Sequence, residues 1–352
     1  MVKNVSAFWR NLISSGFLLL ILTHSAYSQN EGYSIIENKA KKVKSNDIDR
    51  LAVNLAKQGR NDLERTRAVF KWIADNIAYD IELYRDTTGI YDSLWTAASN
   101  LETDDIYAAY HSLIVARVLE ERKAICDGYA RLFKSLCNKM NLSCEIVTGY
   151  IRWRTDPIGI VTERRHAWNA VLIDNSWKLF DATWASGYCD PEVKKFTKSY
   201  DDFFFCCDPV QFFNDHFPDD AKWSLLPNTP TRQEFYSFPF YYPAFYKARI
   251  KYANPTKGVI AVTPHRKMIS IQLQLSAPIK DVLIYESPRN ISPPAGQNPF
   301  SSAAVDDQSK FNFRIEKDSL LINYNLQSDS TESVHVVLDH KIVLTYGIYF
   351  RR

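Results

Sequence analysis

A chain of 352 residues, 46% of them hydrophobic and 14% aromatic, can bury a large core, divides most naturally into two domains, and is not a disordered polymer. Its 43 Lys and Arg against 40 Asp and Glu leave a formal charge of +3, with no basic run long enough to follow a phosphate backbone, so no nucleic-acid partner is expected. Six cysteines are too few to suggest a disulfide-stapled scaffold at this size.

Residues 1–28 have a composition of their own. Lys3 and Arg10 precede the apolar run Phe17-Leu18-Leu19-Leu20-Ile21-Leu22, which closes on Ala26-Tyr27-Ser28. That order predicts a secretory signal cut before Gln29. The run is too short and too interrupted to span a bilayer comfortably, no cysteine stands near the cut for lipid attachment, and no later segment is long and apolar enough to span. The expectation is a secreted or periplasmic protein with no stable membrane span after cleavage.

Residues 29–60, with the Lys-rich stretch Lys39-Ala40-Lys41-Lys42-Val43-Lys44, read as a solvated lead-in, with helical order beginning after it. Asn61 followed by Glu64 marks a helix start, and Leu63, Thr66, Phe70, Ile73 and Ile77 recur at helical spacing, predicting a helix over 62–77. Residues 80–105 contain the turn formers Asp86-Thr87-Thr88-Gly89 and no clear period, so they read as a long loop bordering a cleft. A helix returns over 106–120. After the polar break Glu121-Arg122-Lys123, a buried stripe of Cys126, Ala130, Phe133, Cys137 and Met140 predicts a helix that Cys126 opens.

The pattern then alternates, predicting strands over 144–153, 166–174 and 177–183. Residues 191–246 are rich in Phe, Tyr and Pro and read as an irregular wrap held to the core by aromatic side chains, completing a domain over 61–246. From 247 to 352 short strands over 269–275, 282–285, 311–315, 320–326, 334–338 and 343–350 predict an antiparallel β-sandwich, with Ser292-Pro293-Pro294-Ala295-Gly296 as a loop within it.

Three groups stand out as chemistry. A cysteine taken alone is most often a core thiol, but Cys126 at a helix start is placed where unpaired backbone N–H groups and the helix dipole stabilise a thiolate, with Gly128 allowing close backbone approach beside it. His166 and Asp181 flank Asp174-Asn175-Ser176. If Asp174 and Asn175 make a two-residue turn, Ile173 faces Ser176, Trp168 faces Asp181, and His166 becomes a diagonal neighbour of Asp181 on the same face. A three-residue turn puts them on opposite faces. Cys126, His166 and Asp181 are thus the candidate catalytic residues: nucleophile, base, and the carboxylate that fixes the base's tautomer. Their product is a thioester, which water hydrolyses or an amine takes over. The Cys126 backbone N–H is one candidate oxyanion donor, and the second is not readable.

Trp168 and Trp184 read as cleft or core walls. No paired-ligand spacing, EF-hand run or Gly-rich phosphate loop occurs, and adjacent Cys206-Cys207 is a poor zinc pattern, so neither metal nor cofactor is expected. Whether Cys137, Cys144, Cys189, Cys206 and Cys207 pair or stay as buried thiols is open at this level, as is the oligomeric state.

Together these residues resemble the transglutaminase-like superfamily, and within it a subgroup similar to the kyphoscoliosis peptidases, over roughly residues 62–246. The resemblance is carried by Arg67-Ala68-Val69-Phe70-Lys71-Trp72-Ile73, Ile77-Ala78-Tyr79-Asp80, Cys126-Asp127-Gly128-Tyr129-Ala130, Thr148-Gly149-Tyr150, His166-Ala167-Trp168-Asn169 and Leu179-Phe180-Asp181-Ala182-Thr183-Trp184. Asp208-Pro209, His216-Phe217-Pro218 and Trp223-Ser224-Leu225-Leu226 look like that subgroup too. It implies an α+β, papain-like core with Cys126 on a helix and His166 and Asp181 on adjacent strands. It also implies thiol-dependent peptidase or transglutaminase-like chemistry on protein or cell-wall peptides. All three residues that idle members lose are retained here. Asp127 stands where the family often has Glu or another residue, and no calcium-binding pattern of the animal transglutaminases is recognisable. The alternative is a catalytically idle binding or scaffold module on the same fold.

Overall fold

The computed structural model describes residues 32–85, 89–153, 156–190, 192–288 and 311–351. The expected signal segment and the loop at 292–296 lie outside them. Among the described residues, no helix is long and apolar enough to cross a membrane.

The protein is a mixed helix and sheet structure followed by strands in two further sheets. The first helices among the described residues are α1 (Ser34–Ala40) and α2 (Ile48–Ala56), where the sequence suggested a solvated lead-in. The lysines misled because they occupy only the outer faces: Ile36, Ala40, Leu51, Ala52 and Leu55 recur at helical spacing and are buried. α3 (Asp62–Asn76) follows, capped as expected by the Asn61 side chain accepting from the Glu64 backbone N–H. The segment read as a loop at 80–105 instead holds a turn of helix at Ile81–Tyr84 and α4 (Ile90–Ser99), entered through left-handed Gly89. Of its turn formers, Gly89 starts the second of these helices, and Asp86, Thr87 and Thr88 lie outside the described residues. α5 (Ile106–Glu121) then runs into left-handed Arg122.

Next comes α6 (Cys126–Lys139), with Tyr129, Ala130, Leu132, Phe133, Leu136 and Cys137 buried. It packs on an antiparallel sheet of β1 (Cys144–Ile151), β2 (Arg165–Ile173), β3 (Ser176–Phe180) and β4 (His216–Pro218), in the order β3-β2-β1-β4. The third strand was expected to reach 183. It stops at Phe180, and Asp181 caps the short helix α7 (Ala182–Ser186). Five helical residues are too few to show a period, so the segment read as a continued strand.

Phe70 of α3 ties these elements together. Fully buried, it packs against Phe133 of α6, Phe180 at the end of β3, Tyr200 and Phe205, with ring centroids 5.2–6.4 Å apart. Phe70→Ala is expected to cost about 3–5 kcal/mol, read as a lowered denaturant midpoint, because the surrounding rings cannot close the hole.

The C-terminal strands are β5 (Tyr252–Asn254), β6 (Val259–Val262), β7 (Met268–Gln274), β8 (Val282–Pro288), β9 (Phe311–Glu316), β10 (Ser319–Asn325), β11 (Thr331–Leu338) and β12 (Lys341–Phe350). One sheet runs β5-β7-β10-β9 and the other β6-β12-β11-β8. Alternating residues of both, among them Ile269, Ile271, Leu320 and Ile322 from one and Val334, Val336 and Leu344 from the other, meet in a single cluster. The pairings are antiparallel except β6 with β12.

Candidate active site

The turn between β2 and β3 is the two-residue one. Asp174 and Asn175 both have positive φ, at 49° and 58°, and Ile173 pairs with Ser176. That register carries His166 and Asp181 to the same side, and His166 Nε2 lies 2.8 Å from Asp181 Oδ2. Asp181 Oδ1 accepts from the backbone N–H groups of Thr183 at 2.8 Å and Trp184 at 3.0 Å. The carboxylate is therefore fixed at both oxygens.

Cys126 is half-buried at the first position of α6, after extended Ile125. The two-residue parallel pairing of Ala78–Tyr79 with Lys123–Ala124 leads directly into it. A Cβ at Gly128 would stand 2.8 Å from Ala124 Cβ and 3.0 Å from Val118 Cγ2, so glycine lets the first turn seat against the end of α5. Cys126 lies close enough to the His166 ring to raise that ring's hold on a proton. Asp181 occupies Nε2, so proton exchange with a thiol would fall to Nδ1. Asn169 of β2 donates to the carbonyl of Ala130 at 3.0 Å, tying the helix to the strand that carries His166.

The expected walls are present. The rings of Trp168 and Trp184 lie 6.2 and 5.6 Å from that of His166. The remaining cysteines, like Cys126, are free thiols. Burial pushes Cys189 up to about 11, with Asp190 adding to it, and raises Cys137, Cys206 and Cys207 as well.

Sequence reasoning did not assign a role to His216. β4 pairs with β1, setting Ile151 opposite His216, and brings the ring under the site. His216 Nε2 lies 3.1 Å from the same Asp181 Oδ2 that faces His166, and its Nδ1 lies 2.6 Å from Asp215 Oδ1. Both groups are buried, His216 at 1% exposure and Asp215 at 5%. The one available signal was His216-Phe217-Pro218 itself, noted without a function.

Electrostatics follow from this packing. Burial alone would lower His166, but the charge of Asp181, reinforced by Cys126, raises it to about 10. Burial would raise Asp181, yet His166 and His216 hold it far below the usual carboxylate range. His216, which burial would lower, is raised by Asp215 and Asp181, while burial raises Asp215 itself. Ligand atoms of His166, Asp181 and His216 lie within 4.8 Å of one another, a spacing a metal ion could use. Asp181 Oδ2 is shared as acceptor by both Nε2 atoms.

Comparison with known proteins agrees with the geometry. Residues 49–182 match the model of the transglutaminase-like superfamily. The kyphoscoliosis peptidase of Mus musculus is 32% identical over 227 residues, covering 64% of this chain and 31% of that protein. The human kyphoscoliosis peptidase is 31% identical with the same coverage. Hillarin of Drosophila melanogaster is 21% identical over 276 residues, 69% of this chain and 30% of that protein. The chain thus spans less than a third of the length of these relatives.

Proposed function

From a chain that belongs, through residues 49–182, to the transglutaminase-like superfamily, we propose an exported cysteine-dependent enzyme acting on amide bonds of protein or cell-wall peptides. Cys126 is its nucleophile, His166 its base and Asp181 the carboxylate that orients the base. The observation that supports this most is His166 Nε2 held 2.8 Å from Asp181 Oδ2, with the half-buried thiol of Cys126 at the start of α6 acting on the same ring.

The steps balance without a cofactor. The Cys126 proton passes to His166 Nδ1 as the sulfur attacks the carbonyl carbon. The negative charge on the carbonyl oxygen is met by backbone N–H donors, with that of Cys126 at the helix start as the first. The C–N bond then breaks, His166 returns the proton to the leaving amine, and a thioester remains on Cys126. Water releases an acid, and an amine releases a new amide.

Peptide-resolved labelling with iodoacetamide near neutral pH tests the reading. Cys126 is expected to react at least about tenfold faster than the other thiols, and His166→Ala to remove that lead. Equal rates at all cysteines, or an unchanged lead without His166, would favour the binding-module alternative. Mass spectrometry of a thioester trapped on Cys126 from a peptide pool would then name the acyl donor.

A further inference from the structure

We propose that Asp215 and His216 are positioning residues for the chemistry at Cys126: a buried ion pair that holds Asp181 from the side opposite His166 and limits how firmly Asp181 retains the His166 proton. The proposal rests on the nucleophile and base reading above.

Both nitrogens of the His216 ring face carboxylate oxygens, Asp215 Oδ1 at 2.6 Å and Asp181 Oδ2 at 3.1 Å. An ionised carboxylate only accepts, so with both acids ionised the two contacts need N–H on both nitrogens, the imidazolium. The charges then alternate from Asp215 through His216 and Asp181 to His166. A single oxygen of Asp181 serves two rings. In a buried site that sharing matters: with one cationic partner removed, the carboxylate would bind the other more tightly. A base that retains its proton too firmly returns it poorly to a leaving amine.

The ring cannot swing away to relieve this arrangement. Phe212 stacks on it with centroids 4.0 Å apart, and Trp184 lies 4.5 Å from it. The titratable groups around His216 are Asp181 at the cap of α7, His166 from β2 and Asp215 beside it, with Arg152 acting on Asp215 from beyond and Cys207 and Tyr246 in turn feeling the Asp215 charge.

Two variants of the full chain separate this role from mere filling of space. His216→Phe keeps an aromatic ring in the stack, and Asp215→Asn keeps a side chain of the same shape beside Nδ1 but removes its charge. Two readouts apply: ¹⁵N spectra of the imidazoles, and the rate of iodoacetamide alkylation of Cys126 across roughly pH 4 to 11.

In the unaltered protein, His216 is expected to show two protonated nitrogens at neutral pH, and in Asp215→Asn only one. The upper step of the alkylation profile, where His166 loses its proton, is expected to move up by about half a unit to one unit in both variants, further in His216→Phe because that change also removes the hydrogen bond. Folded variants whose upper step stays in place beside fast Cys126 alkylation, or a neutral His216 in the unaltered protein, would overturn this proposal alone. Slow alkylation of Cys126 in the unaltered protein would overturn the nucleophile reading, and this one with it.

Discussion

Asp181→Asn is expected to slow turnover of a trapped donor peptide by about 10³-fold or more, with the fold retained. The amide oxygen can still accept from Thr183 and Trp184, so α7 keeps its cap. The amide nitrogen then faces two imidazole Nε2 atoms as a donor. His166 is driven to the tautomer with its proton on Nδ1, the nitrogen left for exchange with Cys126, and cannot take the thiol proton. Asp181→Ala goes further, removing the cap and leaving two buried imidazoles without their anion, for a loss of about 3–5 kcal/mol in denaturant unfolding.

The pH dependence of stability carries the same signature. His166 is raised from 6.5 to about 10, so its contribution is complete below 6.5 and lost as pH rises through about 10. Asp181 is lowered from 3.8, so its contribution is complete above 3.8 and lost as pH falls. The stability difference between the unaltered protein and Asp181→Asn should therefore be widest between those ordinary values and narrow on both sides. A difference that does not vary with pH would show that the pair is not ionised as described.

Gly149→Ala is expected to be the most damaging single-methyl change in the sheet. The added carbon would stand 2.1 Å from the backbone oxygen of Phe217, 2.8 Å from Pro218 Cα and 2.7 Å from the tip of the Trp168 indole. Two of these contacts are backbone, so β4 must move off β1, and with it His216 and Asp215. The Trp168 ring beside His166 must move as well. Overpacking of this kind costs about 1–3 kcal/mol or more, and Cys126 labelling should slow in parallel. Gly32→Ala, with nothing within 4 Å of its new carbon, is the control and should stay within about 0.5 kcal/mol. A Gly149→Ala chain with unchanged melting and labelling would mean that β4 is not seated against β1 as described.

Much of the site was legible because its parts are local. The stripe that begins at Cys126 has the period of a helix, and Asp174 and Asn175 adopt the left-handed conformations that a two-residue turn requires. A two-residue turn sets the register that brings His166 to the side of Asp181; the sequence left a three-residue turn open beside it, and the positive φ values of Asp174 and Asn175 decide between them. The shift of Asp181 from strand to helix cap was less legible, although an Asp before Ala182-Thr183-Trp184 is a recognisable cap. α1, α2 and α4 were hidden in the same way, by lysines and turn residues that mark outer faces and boundaries.

Residue order therefore determined the α+β class, a hairpin between His166 and Asp181, and the thiol at a helix start, since each depends on contacts within a few turns of chain. Tertiary structure alone decided that the helix opened by Cys126 packs on the strand that carries His166, and that His216 and Asp215 close the far side of Asp181. Strand pairing between β4 and β1 joins segments far apart in the chain, and no local period or turn encodes which distant edge a three-residue strand will find.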